Sequence, residues 1–107
     1  MDTLGDVLRE PDRLPWGEWV IFRPDEPLTA ATPCRVEDLD DLPDDLDYPP
    51  EAVAAGLTTS LDTATVQDIV SNLLQQVDEA GMDLRLRAFA YYWEYDAFID
   101  LDVTGPA

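Results

Sequence analysis

The feature that most constrains this chain is an apolar stripe with helical periodicity over residues 63–80. Its apolar side chains recur at i, i+3, i+4, i+7, i+8 and i+11, which places them on one face of an α-helix. They are Val66, Ile69, Val70, Leu73, Leu74 and Val77. Thr65 with Asp68 three residues later is typical of a helix start, and Gly81 is typical of a helix end. The rest of the chain must cover this stripe.

The flanking segments predict a mixed fold. A short helix is expected over residues 3–10, where Thr3 can cap it, and a second one over residues 51–55, before Gly56. Candidate strands rich in β-forming residues lie at 18–22, 34–36 and 57–61. A length of 107 residues suits one modest core. We therefore expect residues 1–107 to form a single α+β domain, a short antiparallel sheet packed against two or three helices.

The C-terminal region is harder to assign. Residues 84–95 fit a strand by alternation, and they fit a helix capped by Asp83 because Leu84, Ala88, Tyr91 and Tyr95 share a face. The residues alone leave both structures open. Over residues 96–103, a face with Ala97, Ile99 and Leu101 alternates with one that carries Asp96, Phe98 and Asp100, which predicts a final strand.

Charge and composition exclude many classes of function. There are 24 acidic residues against 6 Arg, with no Lys and no His, for a net charge of −18. Without His, Lys or more than one Cys, there is no His-based catalytic triad, no zinc cluster, no disulfide and no phosphate-binding lysine. We expect no cofactor and no metal. Direct binding to nucleic acid or to an anionic membrane is disfavoured by repulsion.

The N-terminal residues lack a basic and apolar leader, and a single thiol suits a reducing compartment. We therefore expect the protein in the cytoplasm. Catalysis by a pair of carboxylates is disfavoured because no spacing singles out a pair and the chain is short. Cys34 has no His partner, and nearby Glu37 and Asp38 should raise its pKa. Arg85 and Arg87 should pair with acids of the same chain.

The segment 37–47 holds seven acids in eleven residues. A calcium loop is disfavoured because the spacing differs from that of an EF-hand and no glycine is present. Two hypotheses remain: a solvated, solubilising surface, or a recognition surface whose carboxylates occupy a cleft that normally holds phosphates. The acids of the recognition surface would be Glu37, Asp38, Asp40, Asp41, Asp44, Asp45 and Asp47.

Aromatic residues supply the candidate anchors for such a surface. Six aromatics fall within residues 89–98, and we expect most of them in the core. Trp93, Tyr92 or Tyr95 is the candidate for a surface anchor in this cluster, and Tyr48 follows the acidic segment. Trp16 lies in a Pro-Trp-Gly sequence, where exposure is expected. Trp16, Tyr48 and Trp93 therefore join the seven acids as predicted partner-binding residues.

Two motifs carry a resemblance. The sequences TVQDIVSN (65–72) and YYWEYDAF (91–98) resemble a small family of acidic bacterial proteins, similar to the immunity partners of polymorphic and contact-dependent toxins. The resemblance covers about residues 60–101, with a weaker echo at Trp19 and over 34–38. It implies a helix before the Asp-Ala-Phe motif, so we predict a helix over 84–95. It brings no catalytic residues.

Charge and resemblance lead to the same functional hypothesis. We expect a non-catalytic immunity protein that binds a basic toxin, a nuclease or nucleic-acid deaminase, and occludes its substrate cleft. One alternative is a DNA mimic that inhibits a nucleic-acid-binding enzyme, although the acids form a cluster more than a ladder. Another is a halophile-type soluble domain without a basic partner, which the spread of acids toward both ends of the chain would also fit.

Overall fold

A four-stranded antiparallel sheet with helices packed on it forms the α+β fold that the sequence predicts. The computed structural model describes residues 2–24, 27–40, 42–43 and 45–101. The strands are β1 (Asp2–Thr3), β2 (Trp19–Phe22), β3 (Pro33–Glu37) and β4 (Thr59–Asp62). The helices are α1 (Leu4–Arg9), α2 (Pro50–Ala54), α3 (Thr63–Gln76) and α4 (Met82–Tyr95), with a 3₁₀ turn at Pro11–Arg13.

The sheet order is β1-β3-β2-β4, and every neighbouring pair is antiparallel. At one end of β2, Trp19 lies opposite Glu37 of β3 and Asp62 of β4. At the other end, Phe22 lies opposite Cys34 and Thr59. Since residues directly opposite one another share a sheet face, this register decides which side chains meet.

Both faces of the sheet are covered. Val20, Phe22 and Cys34 face the main core, where they meet the buried residues of α1, α3 and α4. The other face carries Ile21, which forms a smaller buried cluster with Ala52 and Leu57 around α2. Burial on both faces explains why β2 reads as a continuous apolar run rather than an alternating one.

Helix α3 confirms most of the predicted stripe: Val66, Ile69, Val70 and Leu73 are buried, whereas Leu74 is exposed. Both predicted ends of the helix were wrong. The cap is Asp62, whose carboxylate accepts the Thr65 backbone N–H at 3.3 Å. The helix ends at Gln76, because the β-branched Val77 adopts an extended conformation (φ −135°, ψ 149°). Gly81 is instead the residue that precedes α4.

Helix α4 confirms the helical prediction for 84–95, and the left-handed Asp96 (φ 55°, ψ 36°) ends it. The predicted final strand is wrong over residues 96–101, which form no ladder. The Gln76 side chain holds this segment instead, donating to the Ile99 carbonyl at 2.7 Å and accepting the Leu101 N–H at 2.9 Å. Residues 102 and 103 lie outside the described part of the chain.

No helix among the described residues is both long enough and apolar enough to span a membrane.

Candidate partner-binding surface

Trp16 is the most exposed large apolar side chain among the described residues, at 90%. It lies in a tight turn in which Gly17 takes a positive φ of 79°, a conformation that favours glycine. The buried Thr63 donates its hydroxyl to the Pro15 carbonyl at 2.8 Å, and Gln67 donates to the Pro11 carbonyl at 3.0 Å. The turn is therefore fixed to α3 by hydrogen bonds while its indole remains in solvent.

Acidic residues from three separate segments lie at the same end of the sheet as this turn. Glu18 directly precedes β2, Asp38 directly follows β3, and Asp62 ends β4. The register makes these positions converge, since Trp19 lies opposite both Glu37 and Asp62. We call Trp16, Glu18, Asp38, Asp40 and Asp62 the acidic end of the sheet.

The acidic segment itself is partly ordered by its own side chains. Asp38 accepts the Asp40 backbone N–H at 2.9 Å, an Asx turn that leaves both residues exposed. Asp45 and Asp47 are also exposed. Asp41 and Asp44, which we also predicted to bind a partner, lie outside the described residues. The described acids of this segment are thus directed to solvent, except for Glu37.

Glu37 and Tyr48 have structural contacts of their own. Glu37 is half-buried and binds the Arg35 guanidinium at 3.1 Å, and its second carboxylate oxygen is buried without a hydrogen-bond partner among the described residues. Tyr48 packs against the cluster around Ile21, and its hydroxyl lies 3.2 Å from the Ser60 hydroxyl. Tyr48 therefore holds the end of the acidic segment against the sheet, whereas Glu37 belongs to β3 itself.

Trp93 lies elsewhere. Its ring packs edge-on against Phe22, with 5.9 Å between ring centroids, at the end of β2 remote from Trp16. It lines an open groove of about 860 Å³ between α4 and residues 27–30, together with Leu28, Leu86 and Ala90. We call this the α4 groove. The ten predicted residues therefore do not lie on a single surface.

The aromatic cluster over 89–98 is divided between core and surface. Phe89 is fully buried against Phe22, while Tyr91, Tyr92 and Trp93 are partly buried against the same core. Tyr95 and Phe98 are exposed. The prediction that most of the cluster belongs to the core is confirmed.

Arg85 has partners different from those predicted. Its guanidinium donates to the carbonyl oxygens of Leu8 at 2.6 Å, Arg9 at 3.1 Å and Ala80 at 3.0 Å. The last carbonyls of a helix have no partners within the helix, so a cation beside the end of α1 satisfies them. Arg85 therefore ties α4 to α1 through main-chain carbonyls rather than through the carboxylate that we expected.

Cys34 is buried, and its pKa is raised as predicted, but the cause of the shift differs in part. Burial is the main reason that its pKa rises to about 12, and the negative charges of Asp2 and Asp6 add to the effect. Glu37 and Asp38, which we expected to act on it, are not among the causes. At neutral pH the residue is an uncharged thiol in the core, which does not suit a nucleophile.

The residues of the described part of the chain do not form a metal site. No group of three or more Cys, Asp or Glu side chains there is arranged to hold a metal ion. The acidic residues at the acidic end of the sheet come from separate segments, and the property that they share is negative charge.

Sequence reasoning missed Glu18 and Asp62 as neighbours of Trp16. Neither residue belongs to an acidic run, and only the pairing of β2 with β4 brings Asp62 beside the turn. A β-strand register of this kind is a long-range property, and the composition of the two strands gives no sign of it.

Comparison with known proteins identifies a family but no function. The sequence model of a domain of unknown function, DUF7716, matches residues 1–101. No curated protein matches the chain. No solved structure matches it either.

Proposed function

The chain belongs to the DUF7716 family, and we propose that it is a non-catalytic immunity protein that neutralises a basic toxin. The toxin is of the nuclease or nucleic-acid deaminase type, and both proteins meet in the cytoplasm. One observation carries the proposal: an almost fully exposed tryptophan, held in place by hydrogen bonds, shares a small surface space with Glu18 and Asp62 at the end of the sheet where β3 leads into the acidic segment. Exposed tryptophans of this kind are frequent anchors of protein interfaces.

The mechanism is occlusion of the toxin's substrate cleft. Such a cleft carries Arg and Lys side chains that bind nucleic-acid phosphates. The exposed carboxylates of Asp38, Asp40, Asp45 and Asp47 take the place of those phosphates. No bond is made or broken in the process, so the protein needs neither a catalytic residue nor a cofactor.

Charge also makes the association fast. A net charge of −18 attracts a basic protein over distances of about one Debye length, near 8 Å at physiological salt. Steering of this kind raises association rates and is weakened by added salt. An immunity protein benefits from it because it must reach the toxin before the toxin reaches nucleic acid.

Anchoring by an aromatic side chain supplies the part of the affinity that salt does not remove. Trp16 presents most of its ring to solvent, so burying it against a partner releases water from an apolar surface. The bonds from Thr63 and Gln67 fix the turn before binding, which reduces the entropy lost on association.

The first test is recovery of tagged protein from a lysate of its source, at low salt and at about 1 M salt, with identification of bound proteins by mass spectrometry. A single basic partner that stays bound at high salt, and whose nuclease or deaminase activity stops on binding, supports the proposal. Many weakly held basic proteins, all released by salt, contradict it and point to a solubilising charge alone.

Matched charge variants test the surface. Asp38→Asn, Asp40→Asn and Asp45→Asn together remove three charges from the acidic segment, and Asp78→Asn, Glu79→Gln and Asp83→Asn remove three exposed charges elsewhere. At low salt the first set should weaken toxin binding by about 10-fold or more, and the second by less than about 3-fold. Equal losses in the two sets would show that only net charge matters and would contradict a specific surface.

A further inference from the structure

A notch lies beside the exposed tryptophan at the acidic end of the sheet. It has a volume of about 230 Å³, and Trp16, Glu18, Trp19 and Asp62 line it, with the first residues of α3 closing one side. Trp16 and Trp19 come from the turn and the start of β2, and Asp62 comes from the end of β4. Two tryptophans and two acidic residues, from residues 16–19 and from the end of β4, thus line one small open space, and Trp19 is partly buried because it also packs against the cluster around Ile21.

We propose that this notch binds an arginine side chain of the basic partner. The inference rests on the function proposed above and adds to it the kind of residue that the partner presents there. The faces of indole rings attract cations, and tryptophan does so more strongly than tyrosine or phenylalanine. A carboxylate beside the rings supplies the opposite charge and accepts guanidinium N–H groups.

The two carboxylates of the notch differ in the hydrogen bonds that they already accept. Asp62 already caps α3, accepting the Thr65 backbone N–H and the Thr65 hydroxyl, so it contributes mainly negative charge. Glu18 uses its backbone carbonyl to accept the Thr63 N–H at 2.9 Å, and the described residues place no ion pair on its side chain. Glu18 is therefore the acceptor for an incoming cation.

Arginine fits this space better than lysine. Its guanidinium is planar and weakly hydrated, so it stacks on an aromatic face while donating hydrogen bonds at its edge. The lysine ammonium is compact and strongly hydrated, and leaving water costs it more. An apolar side chain fits the rings alone and gains nothing from Glu18 and Asp62. The charge of the site thus selects the cation, and the rings favour the planar one.

The test uses the full chain with 15N-labelled indoles and two peptides of equal charge, hexa-arginine and hexa-lysine. The three tryptophans give three indole N–H signals. Hexa-arginine should shift the signals of Trp16 and Trp19 and leave that of Trp93 unmoved. Hexa-lysine should bind the same site about 2- to 5-fold more weakly, the range that a cation–π contact at an exposed site supplies.

Variants decide whether the notch is responsible. Trp16→Ala and Glu18→Gln should each weaken hexa-arginine binding by about 3-fold or more. Glu79→Gln makes the same chemical change at an exposed loop position and should leave binding within about 1.5-fold. Equal affinity for the two peptides, equal shifts of all three indoles, or no loss in Trp16→Ala would each overturn the arginine site.

The result separates this inference from the proposed function. If the lysate yields one salt-resistant toxin but the peptide results are negative, the arginine site is wrong and the immunity function stands. If hexa-arginine binds at Trp16 but no toxin is recovered, the site stands as a recognition feature for arginine and the toxin proposal fails.

Discussion

Trp16 and Trp93 lie beside opposite ends of strand β2, and their side chains differ in burial. Trp93 packs edge-on against Phe22 and forms part of the main core while lining the α4 groove. Trp16 is 90% exposed and is fixed only through the backbone of its turn. The same residue type therefore contributes to the core at one end of the sheet and is exposed to solvent at the other.

The acids at the two ends are equally exposed but differ in their contacts. Near Cys34, the exposed Asp2 and Asp6 add to the rise in the pKa of the buried thiol, and the Asp6 carboxylate accepts the Thr3 backbone N–H and pairs with Arg9. At the acidic end, Asp38 and Asp40 point to solvent. Exposed acids are therefore found at both ends, and the exposed ring of Trp16 is the feature that distinguishes the acidic end.

The largest difference between the two ends is expected in the free energy of unfolding of alanine variants of the two tryptophans. Trp93→Ala should lower the free energy of unfolding by about 2–4 kcal/mol, because it opens a cavity beside Phe22. Trp16→Ala should change it by less than about 0.5 kcal/mol, since the side chain packs on little. Urea unfolding followed by far-ultraviolet circular dichroism measures both without relying on tryptophan fluorescence.

Binding should show the reverse order. Trp16→Ala should weaken toxin binding by about 10-fold or more, whereas Trp93→Ala, measured where it is still folded, should bind within about 3-fold of the unmodified protein. A Trp16→Ala variant that binds normally would remove the basis for the comparison. A large binding loss in a folded Trp93→Ala variant would instead make the α4 groove part of the interface.

Much of the fold could be predicted from the sequence because its signals are local. Thr3 forms the cap of α1 in a reciprocal capping box with Asp6, and four residues of the α3 stripe are buried as the spacing predicts, although Leu74 is exposed. The final strand failed because alternation is compatible with any extended segment. Ile99 buries its side chain without a neighbouring strand, and Gln76 of α3 satisfies the backbone instead.

The site was less accessible to sequence reasoning. The exposure of Trp16 was predictable because Pro15 and Gly17 flank it. The division between Trp16 and Trp93 was not, since it follows from the packing of α4 across the sheet. Nor could the approach of Glu18 and Asp62 be predicted, because two strands 40 residues apart must first pair in one register.

A smaller effect is expected from loosening the turn without touching the indole. Thr63→Val keeps the shape of the side chain but removes the hydroxyl that donates to Pro15. It should lower the free energy of unfolding by about 1 kcal/mol. The heteronuclear NOE of the Trp16 indole should fall while that of Trp93 stays constant. Thr63→Ser, which retains the donor, is the matched control.

This variant also separates rigidity from contact. If a fixed turn assists binding, Thr63→Val should weaken toxin binding by about 2- to 5-fold although no contacting atom has changed. If binding is unaffected while the indole is more mobile, exposure alone carries the recognition. If the indole is no more mobile, the Thr63 bond is not what holds the turn.

The smallest expected effect on stability at moderate pH comes from the buried Cys34 thiol near Asp2 and Asp6. Folding raises the pKa of Cys34 to about 12, so the folded state favours the protonated thiol. Its contribution to stability is complete below the unfolded pKa of about 8.5 and is lost as pH rises toward the folded value. Between pH 7 and pH 9 the loss should stay below about 1 kcal/mol. Cys34→Ala should not show it.

Thiol labelling measures the same protonation directly. At pH 8 a thiol-specific reagent should modify the folded protein at least about 100-fold more slowly than free cysteine, because the thiolate is scarce and buried. Denaturant should restore the ordinary rate. Fast labelling of the folded chain would mean that Cys34 is accessible and that the core behind Asp2 and Asp6 is open in solution. The contrast between a closed core at the Cys34 end and an exposed ring at the Trp16 end would then fail.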